Sequence, residues 1–280
     1  ILSHYREAYP RGFSIDDIKY DEIPNEAICL LNYTSGTTGS SKGVMLSVNN
    51  LTGNICFAMD MVNPENGEHY FQKGFRILSF LPLAHAFGCA FDFITAMARG
   101  MHVTLLGRMP SPKILIEAMS NVRPNVILAV PLILDKIYRK QILPMLEKGP
   151  MSIAMKLPLV NTAIYSVIRK KLMDTFGGAC AIFIVGGAAL NPDVEKWFKR
   201  FKLPFTVGYG MTEAAPLLAY EDWWEFASKS CGKAVDSVEI RIDSEDPYNK
   251  VGEIQARGNS VMSGYYKNDE ATAAAFTEDG

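Results

Sequence analysis

Short apolar runs alternate with amphipathic stretches along most of the chain. Ala27–Tyr33, Arg76–Leu81, Met101–Leu106, Val126–Val130, Ala181–Val185 and Phe205–Val207 each read as a strand. Between them the spacing predicts helices. One runs from a cap at Ser47 or Asn49 to about Met61, and another over His85–Arg99. A third opens at Ser111-Pro112, an N-cap followed by a first-turn proline, and runs to Asn121. Leu132–Glu147 is predicted helical with a proline interruption, residues 151–176 mostly helical, and Asn191-Pro192-Asp193 caps a helix to Lys202. The strands lack period-two alternation, as expected where both faces of a sheet are covered. Short strands separated by helices build βαβ units, so the predicted fold class is α/β, a mostly parallel sheet with helices on both faces. After about Ala219 the pattern changes. Val238–Ile242 and Val251–Ala256 alternate apolar and polar positions, which predicts a small antiparallel, β-rich part. The expected division is an α/β region over 1–219, with 1–26 as a polar entry segment, and a truncated β-rich subdomain over 220–280.

Composition narrows the class. With 280 residues, 48% hydrophobic and 21% charged, the chain matches a globular protein and neither a disordered tail nor a coiled coil. The formal charge of -2 gives no basic excess, so a nucleic-acid partner is not expected. Cys29, Cys56, Cys89, Cys180 and Cys231 are scattered, with no zinc spacing and no disulfide framework, which fits a reducing, cytoplasmic setting. The charge-free stretch from Thr175 to Pro192 is broken by glycines and reads as a buried strand between turns, not as a bilayer span.

Three polar or glycine-rich segments directly follow predicted strands: Pro82–Gly88, Gly186–Ala189 and Gly208–Glu213. In a parallel sheet, loops that leave the carboxyl ends of strands converge on one rim, where ligands bind. The sharpest local signal is Thr34-Ser35-Gly36-Thr37-Thr38-Gly39-Ser40-Ser41-Lys42-Gly43. Glycines let several backbone N–H groups point at one anion, hydroxyls add donors, and Lys42 adds a point charge suited to phosphate. Gly36 and Lys42 have the spacing of a Walker A loop. However, Ser41 stands where the second glycine belongs, Gly43 where a magnesium-binding hydroxyl belongs, and the residues after Lys42 read as extended rather than helical. Glu213, beyond a Gly-Tyr-Gly turn and next to Thr212, is either a Mg²⁺ ligand working with phosphate oxygens or a first-turn helix acid behind an N-cap threonine. His85 either lines a pocket mouth or is a packed loop residue.

Four segments in order resemble the adenylate-forming (AMP-binding) superfamily, and most of all its long-chain fatty-acid–CoA ligases: YTSGTTGSSKGVMLS at 33–47, VGGAALNP at 185–192, VGYGMTE at 207–213 and VGEIQARGNSVMSGYYKNDEATAAAFTEDG at 251–280. The resemblance covers nearly the whole chain and implies the fold of that family's large N-terminal domain. It implies that Thr34, Ser35, Gly36, Thr37, Thr38, Gly39 and Lys42 close over the outer phosphates of ATP. Gly186, Gly187 and Ala188 would lie beside the adenine, Tyr209 would stack on it, and Gly210 would sit nearby. Thr212 would meet the α-phosphate, Glu213 would hold Mg²⁺, and His85 would stand near the acyl pocket, so that Thr212, Glu213, Lys42 and His85 form the catalytic set. Phe87, Val130, Pro131, Met211 and Ala214 are implied acyl-pocket neighbours. The implied reaction joins a fatty acid to coenzyme A through an acyl-adenylate. Peripheral membrane contact of the full-length protein is left open.

Asn259 and Asp269 stand where the family usually has prolines, and the family's ribose-binding aspartate and lid domain with its catalytic lysine would fall beyond Gly280. The chain therefore reads as a fragment expected to adenylate poorly by itself. The alternatives are a ligase for aryl or short-chain acids, an adenylation domain feeding a carrier protein, a P-loop kinase or ATPase, and a non-catalytic nucleotide-binding module.

Overall fold

The computed structural model describes residues 2–12, 14–17, 22–34, 41–63, 65–144 and 158–279. Helix α1 (Leu2–Ala8) lies within the stretch read as a polar entry segment. The Tyr5 and Tyr9 rings meet at 5.4 Å across one turn. Strands β1 (Ile28–Thr34) and β2 (Lys42–Ser47) form an antiparallel hairpin. Helix α2 (Val48–Asp60) follows β2 without a linker. It is started by a reciprocal cap, in which the Asn50 amide donates to Ser47 Oγ (3.2 Å) and the Ser47 amide to Asn50 Oδ1 (2.8 Å).

The central unit begins at β3 (Arg76–Ser79). A helical stretch ending in α3 (Ala96–Ala98) leads to β4 (His102–Leu105). Helix α4 (Pro112–Val122), capped by Ser111 as predicted, leads to β5 (Val126–Ala129). Helices α5 (Pro131–Ile137) and α6 (Pro158–Thr175) precede β6 (Ile182–Val185), and α7 (Pro192–Arg200) precedes β7 (Phe205–Val207). These five strands form one parallel sheet in the order β4-β3-β5-β6-β7. Every residue of β5, β6 and β7 is buried, the physical reason their sequences do not alternate. The chain leaves β3 toward β4, then returns past β3 to β5. Strand order thus reverses between β3 and β5, which opens a crevice at the carboxyl ends of those two strands.

Smaller antiparallel sheets complete the architecture. Strands β8 (Tyr209–Gly210), β9 (Leu217–Tyr220) and β10 (Lys233–Ala234) pair in the order β10-β9-β8. The pair β11 (Val238–Asp243) and β12 (Glu253–Gly258) is the antiparallel part expected from the alternating pattern. Strand β13 (Gly264–Tyr265) adds to β2, and α8 (Asp269–Ala275) follows it. No helix among the described residues is long and apolar enough to cross a membrane.

One predicted helix differs in kind. Within His85–Arg99, residues Gly88–Thr95 are a π-helix, where Thr95 Oγ1 donates to the Ala90 carbonyl at 2.8 Å. A second π segment, Tyr138–Ile142, extends α5, and residues 145–147 and 151–157 of the stretches expected to be helical lie outside the described residues.

Aromatic rings dominate the core beneath the sheet. Phe176 and Phe183 meet edge to face at 4.7 Å, and Phe198 and Phe205 at 5.5 Å. Phe183 is fully buried, so Phe183→Ala is expected to lower unfolding free energy by about 3–5 kcal/mol. Denaturant titration followed by tryptophan fluorescence measures this.

Candidate active site

A cavity of about 380 Å³ occupies the crevice at the carboxyl ends of the parallel strands. All three segments singled out by their position after strands reach it. Pro82, His85, Phe87 and Gly88 come from the loop after β3 and the start of the π-helix. Gly186 and Gly187 follow β6, and Gly208–Thr212 follow β7. The Phe87 ring lies so close to Gly186 that a Cβ there would stand 3.2 Å from it. A side chain at Gly210 would collide with the Pro216 carbonyl, so the turn from β8 to β9 can be this tight only with glycine at that position.

The hairpin ends meet this cavity's neighbourhood through one tyrosine. Thr34 pairs with Lys42 across the base of the β1–β2 loop, and Ser41 Oγ donates to the Thr34 carbonyl at 3.3 Å. The Lys42 ammonium stands 5.0 Å from the centre of the Tyr265 ring. The Tyr265 hydroxyl donates to Glu213 Oε1 at 2.8 Å. Burial and the adjacent Glu213 carboxylate push the Tyr265 hydroxyl up to about 12. It therefore remains a donor at neutral pH. The Glu213 carbonyl accepts from the Met262 amide at 2.8 Å, and the Tyr266 amide donates to the Gly43 carbonyl at 2.7 Å. A separate apolar cluster of Val44, Leu46, Leu51, Ala215, Met262 and Tyr265 packs beneath. The lysine at the hairpin base and the acid beyond the Gly-Tyr-Gly turn therefore share one patch.

Glu213 sits in a three-residue 3-10 turn, Thr212–Ala214, preceded by Met211 with no side-chain cap. Thr212 is thus not an N-cap, and the simple helix-start reading of the Thr-Glu pair does not hold. The turn is fixed by α2. Asn54, fully buried, donates to the Ala214 carbonyl (3.1 Å) and accepts from the Leu217 amide (3.0 Å). One helical turn earlier, Asn50 Nδ2 donates to the Asn259 (2.7 Å) and Val261 (2.8 Å) carbonyls. The i, i+4 spacing puts both amides on one face. No group of three or more His, Cys, Asp or Glu side chains among the described residues could hold a metal. A lone carboxylate fits a Mg²⁺ that brings most of its ligands as phosphate oxygens and water.

Asp92 is a buried acid inside the π-helix. Its carboxyl lies against the Ser79 hydroxyl and the Phe80 and Leu81 amides without closing a well-formed hydrogen bond among the described residues. Burial raises it from 3.8 to about 8. Phe80 and Leu81 lead directly into the loop bearing His85.

The sequence model of the family described as "AMP-binding enzyme" matches residues 5–266. The chain belongs to that family. It is 30% identical over 287 residues to long-chain-fatty-acid–CoA ligase 2 of Schizosaccharomyces pombe, an alignment covering 90% of this chain and 40% of that protein. It is also 30% identical over 272 residues to 4-coumarate–CoA ligase of Pinus taeda, covering 92% of this chain and 44% of that one. The chain thus spans less than half the length of these relatives. Its fold is shared with the ATP-bound MatB structure from Rhodopseudomonas palustris (TM-score 0.69, 24% identity, 93% of this chain and 45% of that one). It is shared too with o-succinylbenzoate coenzyme A synthetase from Bacillus subtilis in complex with ATP and magnesium ion (TM-score 0.66, 22% identity, 94% and 48%).

In this member of the family the structure brings His85, Phe87, Val130, Gly186, Gly187, Tyr209, Gly210, Met211 and Thr212 onto one cavity, with His85 exposed at its rim. Lys42 and Glu213 join through Tyr265 beside it, and Thr34 lies at the hairpin base. Ala188 is exposed outside the cavity lining, Pro131 is buried at the start of α5, and Ala214 is buried beneath the 3-10 turn. Ser35, Gly36, Thr37, Thr38 and Gly39 lie outside the described residues. Tyr265, Asn50, Asn54 and Asp92 were not anticipated. The available signals were an acid within the apolar run Ala86–Ala98 and two asparagines at helical spacing.

Asn54→Leu orphans the Ala214 carbonyl and the Leu217 amide, and is expected to cost about 1–3 kcal/mol for each buried group left unpaired, read by denaturant unfolding. The raised Asp92 carboxyl contributes stability that is complete below 3.8 and is lost as pH rises to about 8. Asp92→Asn is therefore expected to flatten the fall in unfolding temperature between about pH 5 and about pH 8. Calorimetric scans of both proteins across that interval test it.

Proposed function

We propose that the chain is the nucleotide- and acid-binding part of an acid–CoA ligase that activates a long-chain fatty acid through its adenylate. The observation that carries this reading is the Lys42–Tyr265–Glu213 patch beside a cavity whose lining, among the described residues, holds no Asp, Glu, Lys or Arg. One end suits a triphosphate with its divalent ion. The other suits an apolar tail. The names of the S. pombe and P. taeda relatives support the acid–CoA ligase class. Between their substrates, the walls of Ala58, Met61, Phe71, Leu81, Phe91 and Leu128 favour an alkyl chain, which needs no hydrogen-bond partner, over a phenol, which does.

The chemistry needs no general base in its first half. A carboxylic acid is already ionised at neutral pH. Its oxygen attacks the α-phosphorus of Mg-ATP, and the bond to pyrophosphate breaks. The obstacle is the approach of two anions, which Lys42, Glu213 with the substrate's Mg²⁺, and backbone N–H donors of the 34–43 loop would lower by holding charge in place. In the second half the thiol of coenzyme A gives up its proton to solvent, its sulfur bonds to the acyl carbon, and the bond from that carbon to the phosphate oxygen breaks so that AMP leaves. A β2 strand starting at Lys42, where a P-loop kinase would start a helix, argues against transfer of the γ-phosphate.

The full-length protein is expected to release pyrophosphate and AMP from ATP with palmitate and coenzyme A. Glu213→Gln is expected to slow that turnover about 10²–10³-fold. Nucleotide products resolved by chromatography decide it. ADP in place of AMP, or turnover with coumarate but not palmitate, overturns the reading.

A further inference from the structure

The cavity has a second neighbour. A more open groove of about 840 Å³ runs between the end of α2 and the segment from β9 to β11, and residues Met61 and Tyr220 line both spaces. They form the partition between the floor of the cavity and the groove.

The two residues differ in freedom. Tyr220 is anchored: its ring meets Phe57 edge to face at 5.6 Å, and its hydroxyl donates to Asp222 Oδ1 at 3.3 Å. Met61 caps the end of α2, with its carbonyl fixed by the Tyr70 amide at 3.0 Å. Its unbranched thioether can change rotamer without moving that backbone. Space also matters. Small-molecule sites commonly occupy about 300–1,000 Å³, and the cavity's 380 Å³ is shared with Gly186, Gly187 and Tyr209, on the side where the nucleotide would lie. A nucleotide and an acid seated together would share that volume, and each added methylene of the acid asks for more of it.

Charge sets the direction. Among the described residues the groove is lined by Asp60, Glu221, Asp222, Glu225 and Asp236 against one lysine, Lys233, which is already paired with Glu221 (2.9 Å) and Glu225 (3.5 Å). A carboxylate head would be repelled there, while a methyl end carries no charge to repel. The Lys42 patch, by contrast, lies beside the cavity where Thr212, the neighbour of Glu213, lines it.

We propose that Met61, which with Tyr220 lines both spaces, is the specificity-determining residue for acyl chain length: a long chain displaces the Met61 side chain and passes its methyl end into the acidic groove. This rests on the fatty-acid reading of the same cavity. Short chains end before the partition and leave Met61 in place.

The test compares palmitate with octanoate in the full-length protein, by pyrophosphate release. Met61→Trp is expected to lower the palmitate-to-octanoate ratio of kcat/KM by about tenfold or more. Met61→Ala, which removes bulk and does not depend on fitting a larger ring, is expected to raise that ratio. Ratios unmoved in both variants, with the unaltered protein active on both acids, overturn the partition role and leave the fatty-acid reading standing. An unaltered protein that activates neither acid overturns the fatty-acid reading itself, and the partition role with it.

Discussion

One phenol joins the parts of this molecule that would otherwise be independent. The Tyr265 ring faces the Lys42 ammonium and its hydroxyl donates to Glu213. Lys42 belongs to the hairpin, Glu213 to the turn after the parallel sheet, and Tyr265 to a two-residue strand that adds to the hairpin's edge. A cation held over the ring and an anion held at its hydroxyl share one tyrosine without forming a direct ion pair with each other. Each keeps capacity for a ligand of the opposite sign. That capacity is what a site for a metal-complexed polyanion needs, and a closed Lys–Glu bridge would have removed it.

The parallel sheet supplies the second half of the arrangement. Because strand order reverses between β3 and β5, the loops after β3, β6 and β7 open onto one crevice. Apolar residues of β5 and β6 continue into its wall, since Leu128 and Ile184 line the cavity and also belong to the core. The floor is therefore an extension of the folding core, and its shape is as firm as the sheet. The adaptable groups stand at the edges: His85 at the rim and Met61 at the partition.

Much of this was legible in the residues. Apolar runs of four or five without alternation mark β5 and β6, and the glycine-rich segments that follow β6 and β7 fall where a parallel sheet places ligands. The antiparallel pair β11–β12 shows in its period of two. The groups that hold the site left fainter traces, because their partners are distant in the chain. Asn54 meets residues 160 and 163 positions away, Asn50 reaches 209 and 211 positions, and Tyr265 reaches 52. No local window contains both ends of such a bond. The π-helix was missed for a related reason: its apolar residues satisfy a helical period, and only the buried Asp92 within it departs from an ordinary core helix.

Asn50 and Asn54 also make α2 a ruler. They tether two loops at points one turn apart, so the distance between those loops is set by the rise of the helix, about 1.5 Å per residue. Exposed positions between them, such as Thr52, can change chemistry freely. A single added or deleted residue would instead rotate one amide by about 100° and strand its loop, although hydrophobic content and helix propensity stayed the same. Along this element the protein is constrained in length more tightly than in composition.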